Sequence, residues 1–212
     1  MKIQAFVFNP FAENTFIVWD EASLAAAIID PGCCSEREMS LLTSFIRDNK
    51  LEIKHMLNTH MHIDHAAGNA FVEDTYGIKT SCHPDDAYLA EHLTQQAQMF
   101  GFPYSGRDIN IKSPLSDGQT LSIAGSECRV LHIPGHTKGH SAFYFPNHDL
   151  VFSGDALFHL SIGRTDFPGG DYSTLIESIE EKLLTLPQRT IILPGHGEKT
   201  SVGFEQTNNP YL

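Results

Sequence analysis

Residues 58–69 read NTHMHIDHAAGN and place His60, His62, Asp64 and His65 within six positions. Imidazole and carboxylate groups are the ligands that zinc and similar cations take in proteins. His60 and His62 lie two residues apart, close enough to share one metal ion, whereas Asp64 and His65 turn the chain toward a second position. The stretch therefore indicates a metal site.

Four strand-like segments elsewhere in the chain lead to the same kind of residue. Strand ends along one edge of a sheet are neighbours in space, so residues that are far apart in sequence can converge there. The segments are 53–57, 129–133, 150–152 and 190–193, and the residues that follow them are His60, His136, Asp155 and His196.

The pattern provides seven candidate metal ligands, which is too many for one zinc ion and enough for two cations that share a ligand. Asp155 is the candidate for the shared position because each carboxylate oxygen can face one cation. Most of the other seven histidines are assigned to surface or hydrogen-bonding roles. For His140 two roles stay open, a structural one and the orientation of a ligand or loop. The seven candidate ligands are His60, His62, Asp64, His65, His136, Asp155 and His196.

The composition is that of one globular domain, with 41% hydrophobic and 19% charged residues in a chain of 212. A net charge of −12 gives little electrostatic support for a nucleic-acid surface. No apolar stretch approaches the roughly 20 residues that span a membrane, and the N-terminal residues do not resemble a signal peptide. The four cysteines lack C-x-x-C spacing. We expect one domain over residues 1–212 in a reducing, cytoplasmic setting, with neither a nucleic-acid nor a membrane partner.

Strand-like runs alternate with segments of helical period, which predicts one layered α/β domain with helices outside the sheets. Ser35 and Glu38 form a capping box ahead of a helix. Asp171 can cap another helix, which ends before Pro187. The predicted strands cover 5–8, 15–19, 26–29, 53–57, 120–124, 129–133, 142–145, 150–152 and 190–193, a third helix runs from about 85 to 99, a short helix follows His65, and residues 101–114 form a loop.

Four motifs resemble the signature of the metallo-β-lactamase superfamily, in the same order and over essentially the whole chain. They are THMHIDH at 59–65, PGHTKGH at 134–140, FSGDALF at 152–158 and PGHG at 194–197. The resemblance implies a four-layer αββα sandwich with a dinuclear site at one sheet edge. It implies that His60, His62 and His136 hold one metal, that Asp64, His65 and His196 hold the other, and that Asp155 bridges them. Zinc is the expected metal, with iron or manganese as alternatives.

Residues 133–145 and 163–179, together with the tail GFEQTNNPYL at 203–212, resemble the glyoxalase II-like hydrolases, in particular their short single-domain bacterial subgroup. This resemblance implies hydrolysis of S-acylglutathione or a related thioester. Two cations would lower the pKa of a shared water from 15.7 toward roughly 7, and Asp64 could accept its proton. A thiol with a pKa near roughly 8.5 leaves with little help from an acid.

The identity of the substrate stays open. Only 16 residues follow His196, so we expect no glutathione site like that in the C-terminal helical domain of full-length glyoxalase II enzymes. Arg164, Lys138 and Tyr172 are candidate substrate contacts, and for each the alternative is an exposed residue without a ligand. The oligomeric state is also open.

Five other functions can be compared with thioester hydrolysis. A mono-iron oxidoreductase similar to persulfide dioxygenases and a lactonase or other ester hydrolase of the same fold remain alternatives. A β-lactamase would need a secretory signal in most hosts, and the N-terminal residues do not resemble one. A nuclease would normally show a basic surface, and the net charge of −12 argues against it. A metal-binding protein without activity would have no reason to leave a coordination position open.

Overall fold

Each half of the chain forms one six-stranded sheet of the computed structural model, which describes residues 1–212. Residues 2–114 supply the first sheet and residues 120–201 the second. A small hairpin of two short strands, Leu157–Phe158 and Ser161–Ile162, belongs to neither sheet. The strands are β1 (Lys2–Phe8), β2 (Glu13–Trp19), β3 (Ala25–Ile29), β4 (Glu52–Leu57), β5 (Thr80–Cys82), β6 (Ser113–Pro114), β7 (Thr120–Ile123), β8 (Ser126–His132), β9 (Ser141–Phe145), β10 (Leu150–Gly154), β11 (Leu157–Phe158), β12 (Ser161–Ile162), β13 (Ile191–Pro194) and β14 (Thr200–Ser201).

The two sheets have related orders, β1-β2-β3-β4-β5-β6 and β14-β13-β10-β9-β8-β7. In the first sheet β1 to β3 pair antiparallel and β3 to β6 pair parallel. In the second sheet only β10 and β13 pair parallel. Parallel neighbours end at the same edge of a sheet, which brings the loops that follow them together.

Alternation along the strands divides the core into layers. Phe16 and Ile29 of the first sheet pack between the sheets against Phe143 and Phe152 of the second. The neighbouring positions, such as Ile17, point the other way and pack against the helices outside the first sheet. Helices also cover the outer face of the second sheet. The observed arrangement is the expected four-layer αββα sandwich in a single domain.

Seven α-helices lie between or after the strands: α1 (Glu36–Asp48), α2 (Ile63–Ala66), α3 (Asn69–Tyr76), α4 (Ala87–Ala90), α5 (Leu93–Phe100), α6 (Tyr172–Ser178) and α7 (Val202–Asn208). The capping box of Ser35 and Glu38 is present at the start of α1. The Asp171 side chain accepts from the Thr174 amide at the start of α6. Both predicted helix starts are confirmed. No helix is both long and apolar enough to cross a membrane.

The predicted helix over 85–99 is wrong as one element. The segment instead consists of a 3-10 turn at Pro84–Asp86, followed by α4 and α5. The break falls at His92, whose backbone leaves the helical region and whose Nδ1 lies 2.8 Å from the Tyr88 carbonyl oxygen. A side chain that bonds to the backbone in this way competes with continuation of the helix.

The hairpin of β11 and β12 is fixed by the C-terminal helix α7. Glu205 is fully buried, and its carboxylate accepts from the Leu160 amide at 3.0 Å. Asn209 donates to the same carboxylate at 2.9 Å and to the Ser161 carbonyl at 3.1 Å. Thr200 also donates to Glu205. The tail is therefore connected to the hairpin by buried polar contacts, which are costly to leave unmade.

Candidate metal centre

The seven predicted ligand residues meet at one edge of the sandwich, where β4, β8, β10 and β13 end. The loop after β4 and the short helix α2 carry four of them, and the other three follow β8, β10 and β13. The N-terminal half therefore supplies His60, His62, Asp64 and His65, and the C-terminal half supplies His136, Asp155 and His196.

A first cluster contains only histidines. The ligand-type atoms of His60, His62 and His136 lie within 4.8 Å of one another. His62 Nδ1 and His136 Nε2 are 3.0 Å apart. His60 Nε2 is buried and has no hydrogen-bond partner. Three imidazole nitrogens that converge on one point form a donor set suited to a divalent cation.

A second cluster adjoins the first and contains Asp64, His65 and His196. Asp64 Oδ2 lies 3.2 Å from His196 Nε2, and the Nε2 atoms of His65 and His196 are 3.3 Å apart. Two imidazoles and a carboxylate again converge on one point.

Asp155 lies between the two clusters. Its Oδ1 is 3.3 Å from His65 Nε2. Its Oδ2 is 3.6 Å from His196 Nε2 and 3.7 Å from His136 Nε2. The carboxylate therefore faces both groups of histidines, as a ligand shared between two cations would.

The pKa shifts keep much of this site in its ligand-ready form. Burial lowers the pKa of His62 to about 3 and also lowers the pKa of His60 and His136, so these imidazoles are neutral at pH 7. For Asp155, burial would raise the pKa, but the charge and hydrogen bond of His65, together with the charges of His196 and His136, outweigh burial and the net shift is strongly downward. For His65, burial would lower the pKa, but the Asp155 and Asp64 carboxylates outweigh it and raise the pKa. The pKa of His196 is also raised, because burial would lower it but the hydrogen bond to Asp64 and the charge of Asp155 outweigh burial. Without metal, the favoured protons therefore lie on the two second-cluster histidines, beside the carboxylates.

Asp30 supports the second cluster from behind. Its Oδ2 lies 3.1 Å from His65 Nδ1, and its carboxylate accepts from the Thr59 amide and the Thr59 hydroxyl, both at 2.7 Å. A carboxylate on the far nitrogen of a ligating histidine fixes its tautomer and orientation. Asp30 is not among the residues that the motifs indicated, because it lies in none of them and meets His65 only in the folded chain.

Asp86 connects the two histidine loops and was also missed. It is fully buried and accepts from the Met61 amide at 3.1 Å, the Thr137 hydroxyl at 2.8 Å and the Gly139 amide at 2.7 Å. Met61 lies between two first-cluster histidines, and Thr137 follows the third. One carboxylate therefore holds both loops that build this cluster.

His140 orients the loop that carries the predicted ligand Asp155. Its Nε2 accepts from the Asp155 amide at 3.0 Å, and the side chain is fully buried. Two of the predicted ligands are oriented by backbone carbonyls. His136 Nδ1 lies 2.7 Å from the Arg164 oxygen, and His196 Nδ1 lies 3.1 Å from the Phe11 oxygen.

Gly195 shows why a glycine precedes the last histidine. A Cβ at this position would collide with the Asp155 carboxylate and the His65 ring. The backbone can approach the centre this closely only without a side chain.

The centre lies at the base of an open cavity of about 450 Å³. The wall is mainly apolar and aromatic, with Phe11, Phe100, Phe158, Ile162 and Phe167. This is a typical composition for a small-molecule site with polar groups concentrated at one point.

The three candidate substrate contacts lie in different places. Arg164 lines the cavity, stacks on the Phe167 ring at 3.9 Å, and donates two hydrogen bonds of 2.7 Å to Asp166. Lys138 lies over the Tyr88 ring outside the cavity. Tyr172 is exposed and does not line the cavity either. The loop over 101–114 also stays outside it, although Phe100 immediately before the loop forms part of the wall.

Comparison with known proteins agrees with this geometry. The hydroxyacylglutathione hydrolase GloC of Haemophilus influenzae is 39% identical over 213 residues, which cover 100% of this chain and 98% of the relative. A probable metallo-hydrolase of Bacillus subtilis, YqgX, is 35% identical and is covered to 98%.

Two solved structures are also similar to this chain over almost their whole length. The B3 metallo-beta-lactamase BLEG-1 superposes with a TM-score of 0.90 at 31% identity, covering 100% of this chain and 99% of that one. TTHA1623 in a di-iron-bound form superposes with a TM-score of 0.87 at 35% identity, covering 99% and 100%. Residues 8–196 match the family model of the Metallo-beta-lactamase superfamily, to which the chain therefore belongs.

Proposed function

We propose that this chain is a metal-dependent thioester hydrolase, similar in its reaction to the glyoxalase II-like hydrolases, with two divalent cations as its cofactor. One observation carries the proposal: the Asp155 carboxylate faces both the cluster of three histidines and the cluster of two histidines and an aspartate, at the base of an open, apolar cavity. A site of this kind presents a reacting group to a small molecule instead of enclosing an ion for structural purposes.

The residues fit two cations. His60 Nε2 is buried without a hydrogen-bond partner, a costly arrangement unless the nitrogen serves as a ligand. We assign His60, His62 and His136 to one cation, Asp64, His65 and His196 to the other, and Asp155 to both. Bound there, the cations would lower the pKa of a water toward roughly 7 and polarise a substrate carbonyl. Zinc is the proposed metal, and iron is the alternative because the related TTHA1623 holds two irons.

Asp64 is the proposed proton acceptor. Its side chain lines the cavity. Burial would raise its pKa, but the adjacent His65 and the hydrogen bond from His196 outweigh burial, and the pKa is lowered. The group is therefore a carboxylate at neutral pH and can take a proton from an attacking water.

A thioester is the proposed substrate for two reasons. The GloC relative is named as a hydroxyacylglutathione hydrolase. The cavity also offers no Lys, Cys or Tyr side chain as an acid for a poor leaving group, its histidines are proposed metal ligands, and its one arginine, Arg164, is paired with Asp166. A thiolate leaves without protonation, because its conjugate thiol has a pKa near roughly 8.5.

The test combines metal analysis with a substrate panel. We expect about two metals per chain and turnover of an S-acylglutathione, with weaker or no turnover of a lactone and a lactam. Asp155→Ala is expected to reduce thioester hydrolysis by roughly a thousandfold or more, because both cations lose a ligand. One iron per chain with oxygen consumption on a persulfide would instead support the oxidative alternative. Preferred turnover of a lactone would support the lactonase alternative.

A further inference from the structure

A second groove lies beside the metal cavity, between the helices α4 and α5 and the segment at 167–168. Its volume is about 340 Å³, within the range of small-molecule sites. The two cavities share His62, Phe100 and Phe167 as lining residues. The groove therefore adjoins the proposed reaction site and shares part of its wall.

Two aromatic rings mark the boundary between the cavities. Phe100 and Phe167 meet edge to face with centroids 5.6 Å apart, and the His62 ring lies 5.5 Å from Phe167 on its other side. A ligand that crosses this boundary passes directly beside a predicted metal ligand. One part of it can then lie over the centre while another part lies in the groove.

The groove wall is apolar and has no charged side chain. Leu89, Met99, Phe100, Phe167 and Pro168 provide its apolar surface. Met99, which lines the groove, is 72% exposed and is therefore accessible to a ligand.

Several polar groups of the wall are already used within the protein. Gln96 donates to the Met61 and Leu89 carbonyls and accepts from the Ile63 amide. The Tyr88 hydroxyl donates to the Pro168 carbonyl at 3.1 Å. These groups are not available to recognise a charged or strongly polar ligand.

We propose that this groove binds the acyl chain of the substrate and that the protein therefore selects thioesters with an apolar acyl group of medium length. The inference rests on the proposed hydrolase function and specifies its substrate class. The acyl arm is assigned here because thiol carriers in cells are commonly charged molecules, and no charged side chain lines the groove. The nearby cation, Lys138 Nζ, lies over the Tyr88 ring, 5.4 Å from its centroid, and is not a lining residue. The carrier would extend toward the opening of the metal cavity.

The first experiment varies only the acyl chain. Acetyl, butyryl and hexanoyl thioesters of glutathione are assayed with the full-length, metal-loaded protein. Each buried methylene is worth about fourfold in affinity. We therefore expect kcat/KM to rise at least about tenfold from acetyl to hexanoyl, mainly through a lower KM. An equal kcat/KM across the series would overturn the groove assignment.

The second experiment places a charge in the groove. Met99→Glu is expected to reduce the ratio of kcat/KM for the hexanoyl over the acetyl thioester to near one, because a carboxylate at this wall opposes burial of the chain. Leu41→Glu is the matched control, an exposed leucine on α1 that lines neither cavity. This control should retain the wild-type ratio. Loss of selectivity in both variants would contradict the proposal.

Binding measurements separate this inference from the proposed function. Amide analogues, with nitrogen in place of the thioester sulfur, are titrated calorimetrically into the metal-loaded protein. Tighter binding of the hexanoyl than of the acetyl analogue, weakened by Met99→Glu, supports the groove even if no thioester is hydrolysed. Absence of hydrolysis would then overturn only the proposed reaction, whereas chain-independent binding would overturn the groove.

Discussion

At the scale of single residues, Asp86 shows how a group that touches no metal can govern a metal centre. Its three hydrogen bonds hold the backbone on both sides of the first histidine cluster. Asn at this position keeps one acceptor oxygen but turns an NH₂ group toward a donor. We expect Asp86→Asn to lower metal affinity or kcat/KM roughly 10- to 100-fold.

The neighbouring Asp85 provides the control for this variant. It lies in the same 3-10 turn but its side chain is exposed. Asp85→Asn should therefore leave metal content and kcat/KM within about twofold of wild type. Equal losses in the two variants, measured by metal analysis and steady-state kinetics, would show that the hydrogen bonds of Asp86 are not the cause.

Asp86 also predicts a pH dependence of stability. Burial raises its pKa to about 6, whereas an unfolded aspartate has a pKa near about 3.9. The folded chain binds this proton more tightly, so the contribution of Asp86 to the free energy of unfolding is largest at low pH and is lost as the pH rises to about 6. Between pH 4.5 and 7.5 the change is about 2 kcal/mol.

Denaturant unfolding of the metal-free protein measures this contribution. The stability difference between wild type and Asp86→Asn should shift in favour of wild type by about 2 kcal/mol at pH 4.5 relative to pH 7.5. A difference that does not change with pH would mean that Asp86 is not protonated in this range.

The sequence was sufficient to predict which seven residues converge, because four of them lie in one motif, THMHIDH, and the other three each follow a strand-like segment. It was not sufficient for Asp30 and Asp86. Each is one aspartate among many, and its role arises only when a strand end or a turn is brought against a histidine loop. Such contacts depend on tertiary packing, which spacing along the chain does not encode.

At the scale of elements, α7 determines the position of one cavity wall. Glu205 and Asn209 hold the hairpin that carries Phe158 and Ile162, both of which line the metal cavity. In Glu205→Gln, an NH₂ group takes the place of one carboxylate oxygen. One of the two oxygens that accept from Leu160, Asn209 and Thr200 then becomes a donor that faces donors. We expect a stability loss of about 1–3 kcal/mol and a raised KM with metal content unchanged.

Gln206→Ala is the control for this prediction, because Gln206 lies on the same helix and donates to the Leu184 carbonyl instead of contacting the hairpin. It should lower stability modestly and leave KM unchanged. Thermal unfolding and steady-state kinetics of both variants distinguish a role in shaping the cavity from a general loss of helix packing, which would raise KM in neither.

Long periodic elements were predicted well and short ones were not. The helix after Ser35 and the nine predicted strands are present, because burial of one face imposes a period that the sequence records. The strands β5, β6 and β14 and the hairpin of β11 and β12 have two or three residues each, too few to display a period. The helix over 85–99 failed for a different reason, since a local bond from His92 to the backbone interrupts it.

At the scale of the whole molecule, the proposed metals join the two sheets. Four candidate ligands come from the half that forms the first sheet and three from the half that forms the second. A ligand that binds only the folded state at a thousand times its Kd stabilises it by about 4 kcal/mol. For a chain of this size, this corresponds to a rise in Tm of roughly 8–16 °C.

Removal of metal with a chelator should therefore lower Tm by that amount, and readdition of zinc should restore it. Asp155→Ala is expected to respond much less to either treatment, because it lacks the ligand that faces both clusters. Calorimetric scans of wild type and variant provide the measurement. The same Tm with and without metal would show that the cations do not link the halves.

The division of the sheets along the chain has a consequence for protein engineering. An exposed turn around Ser116–Gly118 separates the last strand of the first sheet from the first strand of the second. A cut there would yield two fragments with uninterrupted sheets and incomplete ligand sets. Fragment complementation would restore the full set only on reassociation, so that recovered metal binding would report the encounter of two separately expressed polypeptides.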